Sequence, residues 1–216
     1  MPQLHYYPGN ASMAPHMVLR EIGQPFDLVL VDRTQDAHRS AQYMALNPNG
    51  QIPVYVDEDL VLYEAAAICL HLADGAPSAG LVPPLGSPAR AHCYKWLMWL
   101  TNTLQPALML YFYPHRWIAE GDLAGAAELQ TCAQAKIGGM LDQIDTQLAA
   151  HAGPWLLGED YSVVDPYCLM LCRWSRGFSS RPARERAHLG PYLQRMLARS
   201  AVRTVFAAEQ LPEPWV

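Results

Sequence analysis

Two dissimilar parts are predicted, a small α/β domain followed by a larger all-helical one. Strand-like and helix-like segments alternate through residues 3–74. Residues 74–90 are dense in Pro, Gly, Ser and Ala, the composition of a linker, and beyond them helical spacing recurs with no period-two alternation. The reading is therefore a domain at 1–76, a linker at 77–89 and an all-helical domain at 90–216.

Gln3 to Tyr7 reads as a short strand, and Pro8 to Ser12 as a turn. A helix follows from Met13 to Gly23, with Ser12 as N-cap, Pro15 in the first turn, Val18, Leu19 and Ile22 on one face, and Gly23 at the end. Leu28–Val31 is a continuous apolar run, as expected of a strand buried on both faces, and strand, helix, strand implies a parallel pair. A short helix at Ser40–Leu46 leads into Asn47-Pro48-Asn49-Gly50-Gln51-Ile52-Pro53. Pro48 pushes Asn47 out of the helical region, Gly50 tolerates positive φ, and Ile52-Pro53 feeds the apolar run Val54–Val56. A cis bond at Pro53 leaves the Ile52 N–H and C=O free to pair with an extended peptide. Strands near 53–56 and 60–62 and a helix from Glu64 complete a β-α-β-α-β-β-α order. In the second part, helices are expected at Ala91–Tyr113, broken by Pro106 and Pro114, and at Asp122–His151, Ser162–Ser175 and Pro191–Arg199.

Composition narrows the function. With 51% hydrophobic residues, 216 residues suffice for a sizeable core. Net charge is −5 with no Lys/Arg cluster, which argues against nucleic acid and anionic membrane as partners. No apolar run reaches the roughly 20 residues of a membrane span, and the start lacks a signal-peptide pattern, so the expected location is cytoplasmic. The five cysteines form no Cys-x-x-Cys pair and read as buried thiols; the eight histidines show no His-x-x-x-His spacing, and no metal is expected.

Asn-Pro-x-Gly-x-Ile-Pro, a strand, then Leu62-Tyr63-Glu64-Ala65-Ala66-Ala67-Ile68 is similar to the glutathione site of the glutathione S-transferase family. The resemblance implies a thioredoxin-like N-terminal domain, an all-helical C-terminal domain carrying the electrophile pocket, and a homodimer. It implies that Ile52, held by cis Pro53, pairs with the cysteinyl backbone of glutathione. Glu64 meets the α-amino group, the Ala65 N–H receives the γ-glutamyl carboxylate, and Gln51 contacts the glycyl end. Ala65 stands where the family usually has serine, a loss of one hydrogen bond typically of about 1 kcal/mol. Ser162 to Asp165 resembles the family's capping box.

Such an enzyme must ionise a thiol whose ordinary pKa is about 8.5. The family aims a hydroxyl or amide donor and a helix N-terminus at the sulfur; Ser12, Asn10 and Tyr6 are the candidates here, in that order. Each also reads plainly, Ser12 as an N-cap, Asn10 as a turn former and Tyr6 as a strand residue. The run Tyr6–His16 is nearest the bacterial beta class, but Ala11 replaces that class's cysteine, and its His-Lys pair falls at Gln105-Pro106. The first departure argues against cysteine-dependent redox chemistry, and the second argues for a distinct subgroup. Leu108, Tyr111, His115 and Arg116 are the candidates for the electrophile pocket. The expected activity is conjugation of glutathione thiolate to hydrophobic electrophiles. The alternatives are a non-catalytic binding or scaffolding member of the fold, and a glutathione-dependent isomerase, dehalogenase or peroxidase.

Overall fold

The computed structural model describes Met1–Val216 and divides the chain into two compact units. The first comprises Met1–Pro83 together with Leu197–Pro212; the second comprises Pro84–Met196 and Glu213–Val216.

In the first unit the order is β1 (Gln3–Tyr6), α1 (Met13–Ile22), β2 (Asp27–Leu30), α2 (Ala41–Leu46), β3 (Val54–Asp57), β4 (Leu60–Tyr63) and α3 (Ala65–Gly75). The sheet runs β2-β1-β3-β4, with β1 and β2 parallel and the other neighbours antiparallel. This is the thioredoxin-like arrangement expected from the element order. One expectation fails: β2 is an edge strand, and Leu30 is 55% exposed. An apolar run does not reveal that a strand lacks a neighbour on one side.

Gly23 ends α1 in the left-handed region (φ 77°), its N–H returning to the Leu19 carbonyl. Ser40 caps α2 by accepting from the Tyr43 N–H. Val31, Tyr43, Ile52 and Val54 form a buried cluster against which Tyr7, Leu46 and Tyr63 pack. On α1, seven consecutive residues from Met13 to Leu19 are buried, because the helix meets both α3 and a further helix, α9 (Ser200–Ala208). The sequence reading ended its last helix at Arg199 and assigned no element to α9, and it placed residues 197–212 in the helical domain. Ala201, Val202, Val205 and Phe206 bury its inner face, and Arg199 grips Glu21 of α1 through two bonds of 2.6 and 2.9 Å.

The second unit is helical: α4 (Pro88–Trp99), α5 (Gln105–Phe112), α6 (Leu123–Ala149), α7 (Val164–Trp174) and α8 (Leu189–Ala198), whose last residues pass into the first unit. Ser87 and Asp122 cap α4 and α6. Pro106 does not break the first long helix as expected. Leu100–Leu104 instead form a π-helical turn in which the Gln105 N–H reaches the Leu100 carbonyl, and the chain continues into α5 with proline in its first turn. At α7, the buried Asp165 accepts from the Ser162 N–H at 2.8 Å, the Leu156 N–H at 3.0 Å and the Tyr192 hydroxyl at 2.9 Å. Cys168 and Cys172 touch at 3.8 Å in the core, but Cys132, expected to be buried, is exposed on α6. No helix is long and apolar enough to cross a membrane.

Candidate active site

The register of the sheet brings three loops to one end of it. His5, Val54 and Tyr63 lie side by side on β1, β3 and β4. The residues just beyond them, Tyr6 and Tyr7, Pro53, and Glu64, therefore meet at that end, where the loops lead into α1 and α3.

In the first loop the Asn10 N–H donates to the Tyr7 carbonyl at 3.1 Å, and the Asn10 carbonyl accepts from the Met13 N–H at 3.0 Å. Asn10 Oδ1 accepts from the Ala11 N–H at 2.6 Å. That bond fixes which way the amide faces and leaves Nδ2, a donor, without a partner in the chain. Ser12 behaves differently from the expected N-cap. It already has helical backbone angles (φ −60°, ψ −20°), makes no cap bond, and turns its hydroxyl back onto the loop. Its Oγ donates to the Tyr7 carbonyl at 3.2 Å and accepts from the Tyr7 N–H at 3.3 Å, fully buried. The one proton of Ser12 is therefore committed to the fold. Tyr6 is half-buried, with its ring edge-on to His16 at 6.3 Å.

Behind this loop stands a pair that sequence reasoning missed. Glu209, just past α9, accepts the Gly9 N–H at 2.9 Å on Oε2 and lies 2.8 Å from His16 Nδ1 on Oε1, both side chains fully buried. The partners are 193 residues apart, so no local pattern announces them.

The second loop is fastened at Gln51, whose carbonyl accepts from the Tyr43 hydroxyl at 2.7 Å and Asn47 Nδ2 at 2.8 Å. Burial pushes the Tyr43 phenol up, which keeps it a donor. Gly50 has φ 59°, and a Cβ there would press on the His38 carbonyl and Met44 sulfur at 3.3 Å, so the expected glycine requirement is met. Ile52–Pro53 is cis. The Ile52 N–H and C=O take no hydrogen bond within the chain, and the Gln51 side chain is exposed.

At the third loop Glu64 is exposed and has φ 73° and ψ 108°, a backbone state that costs a non-glycine residue roughly 1–3 kcal/mol. No side chain caps α3, and the Glu64 carbonyl already holds the Ile68 N–H. The first-turn N–H groups of Ala65, Ala66 and Ala67 are therefore open, an arrangement suited to a carboxylate.

The pocket candidates separate. Leu108 is fully buried in the core of the helical unit and lines no surface. Tyr111 is half-buried against Phe178, while His115 and Arg116 are exposed.

The chain matches the glutathione S-transferase N-terminal domain over residues 2–74. It is 30% identical to glutathione S-transferase GST-4.5 of Xanthomonas campestris over 97% of this chain and 99% of that one. Its fold is similar to that of a Sulfitobacter glutathione transferase homologue solved with bound glutathione (TM-score 0.88, 28% identity, 98% of this chain and 99% of that one). It is also similar to the beta-class glutathione S-transferase of Sphingomonas chungbukensis (TM-score 0.83, 29% identity, 97% of this chain and 100% of that one). With its cysteine position filled by Ala11, this chain belongs to the glutathione S-transferase family, near the beta class.

Proposed function

We propose that the sheet end described above holds glutathione, and that the Asn10 amide, rather than the Ser12 hydroxyl, stabilises its thiolate for attack on a hydrophobic electrophile. The observation that carries this is the uncapped start of α3 beside the unpaired backbone of Ile52. Together they match a peptide-like ligand with a carboxylate. The glutathione S-transferase name of the Xanthomonas relative and the glutathione in the Sulfitobacter structure support the ligand and the activity.

In this reading the γ-glutamyl carboxylate sits on the Ala65 N–H and the α-amino group faces Glu64. The cysteinyl backbone pairs with Ile52, next to Pro53, and the glycyl end meets Gln51. The sulfur then lies at the start of α1. A hydrogen bond to a charged group contributes roughly 1.5–3 kcal/mol, and the helix N-terminus adds about 0.3–1 kcal/mol. Asn10 alone then brings the thiol pKa from about 8.5 to roughly 6–7.5. The thiolate attacks the electrophilic carbon, forming the carbon–sulfur bond. With Ala11 at the cysteine position, no protein thiol stands in the loop to form a mixed disulfide.

A homodimer and a cytoplasmic, detoxifying role belong to the same reading. Leu60 and Val61 on β4 of the first unit, and Tyr94 and Met98 on α4 of the second, are exposed apolar residues that support the dimer, and five unbridged cysteines suit a reducing compartment.

Thiolate absorbance of bound glutathione, titrated across pH, tests the site directly. The wild type should ionise well below the free thiol. Asn10→Ala should raise that pKa by roughly 1–2 units, with Ser12→Ala and Tyr6→Phe shifting it by less. Saturable binding with an ordinary pKa in the wild type would sink thiolate activation, and a larger shift in Ser12→Ala than in Asn10→Ala would displace Asn10 as the donor.

A further inference from the structure

Between the end of α6 and the start of α8 the helical unit has a cleft of about 200 Å³, and every residue that lines it belongs to that unit. Leu148 and Pro191 give it an apolar wall, and three nitrogen-bearing side chains, His151, His188 and Arg195, share it. No aspartate or glutamate lines it. The Asp145 carboxylate close by is committed to the start of α8, where it accepts the N–H groups of His188 and Leu189 at 2.8 and 2.7 Å. The cleft is smaller than the roughly 300–1,000 Å³ that encloses a drug-sized molecule, so its ligand is a small one.

Each of the three side chains keeps a group to offer. Arg195 sets Nε and Nη2 on the Pro154 carbonyl at 3.2 and 3.1 Å. That carbonyl fixes the plane of the guanidinium and leaves its Nη1 edge open to an anion. The exposed His188 ring takes no hydrogen bond within the chain. His151 Nε2 lies 3.4 Å from the Leu156 carbonyl. A carbonyl only accepts, so the proton of the neutral ring sits on Nε2 and Nδ1 is an acceptor. That Nδ1 is buried and has no partner.

The cleft thus presents a fixed cation, a further N–H donor and one buried acceptor. An ionised carboxylate satisfies donors only, and so does sulfate, because neither carries a proton. Hydrogen phosphate offers oxygens to the donors and an O–H to the acceptor. We infer that this cleft is an inorganic phosphate site, with Arg195 and His188 donating to the phosphate oxygens and His151 Nδ1 accepting the phosphate O–H.

Calorimetric titration of the whole chain with inorganic phosphate, sulfate and methyl phosphate tests the assignment. Chloride holds the ionic strength constant, and saturating glutathione keeps the anions off the start of α3. Phosphate should bind at one site per chain and more tightly than the other two, since the dianion of methyl phosphate also lacks the O–H. Arg195→Met should weaken phosphate and sulfate alike, each about tenfold, the worth of a hydrogen bond to a charged group. His151→Phe should instead erase the preference for phosphate over sulfate. His188→Gln removes a ring with no partner to lose, so it leaves the fold intact and should weaken phosphate about threefold; that arm reads the site even where a His151 variant fails to fold. Sulfate bound as tightly as phosphate by the wild type overturns the inference. So does methyl phosphate bound more tightly than phosphate, which makes the cleft a site for a phosphate ester. Phosphate affinity unchanged in Arg195→Met places the anion elsewhere, and a wild type that binds no phosphate overturns the inference outright.

Discussion

Asn10 and Ser12 are two residues apart and offer similar chemistry, yet the structure gives their protons different fates. The Ser12 hydroxyl closes the turn by bonding both polar groups of Tyr7, whereas the Asn10 amide is anchored through its oxygen and keeps its nitrogen open. Sequence reasoning found both residues and placed Ser12 first; that its hydroxyl turns back onto Tyr7 depends on backbone angles that no local pattern gives. The candidate loops were legible, Gly50 and Pro53 through backbone requirements of their own and Glu64 through its place in the motif. Ala65 permits a sharper test at this scale. Its N–H is open and its side chain is too small to help, so Ala65→Ser should add one hydroxyl bond to a bound carboxylate. A gain of about 1 kcal/mol corresponds to roughly fivefold tighter glutathione binding, measurable by calorimetry. Unchanged or weaker affinity would place the carboxylate elsewhere.

Helices start and stop here largely as their sequences dictate, and the exceptions have physical causes. Pro106 was expected to end a helix, but a wider turn before it absorbs the missing N–H, and α4 runs on into α5. β2 was expected to be buried because its residues are apolar, and position in the sheet overrode composition. The start of α7 depends on Asp165, whose pKa is raised to about 6, burial outweighing the hydrogen bonds that favour its charge. In the unfolded chain it titrates near 3.8. The folded state therefore holds this proton more tightly, and its contribution to stability is complete below about pH 4 and is lost as pH rises through about 6, a change of roughly 3 kcal/mol. Urea unfolding at intervals from pH 4 to 7 should show that decline. In Asp165→Asn the decline should vanish, and stability at pH 4 should be lower, because one amide oxygen cannot accept all three bonds. A slope in the variant equal to that of the wild type would assign the titration to another group.

For the whole molecule, the element order and the change from α/β to all-helical were readable from periodicity, while the membership of residues 197–212 was not. Nothing in a local pattern says that α9 packs on α1, or that Glu209 receives the Gly9 N–H. A chain ended at Met196 should therefore lose more than a terminal helix. Without α9 the buried face of α1 opens to water, and without Glu209 the Gly9 N–H and His16 lose their partner, together a loss on the order of several kcal/mol. Such a chain should fail to bind glutathione and should unfold at lower urea than the 216-residue chain; full binding at unchanged stability would show that the segment after Met196 is dispensable. The same topology imposes an order on synthesis. The strands and helices that surround the ligand leave the ribosome first, yet the segment that completes their core is roughly 110 residues behind, a delay of several seconds or more at about 5–20 residues per second. During that interval the nascent domain exposes the apolar face of α1 that α9 later covers, and its core is finished only after the helical unit has been made.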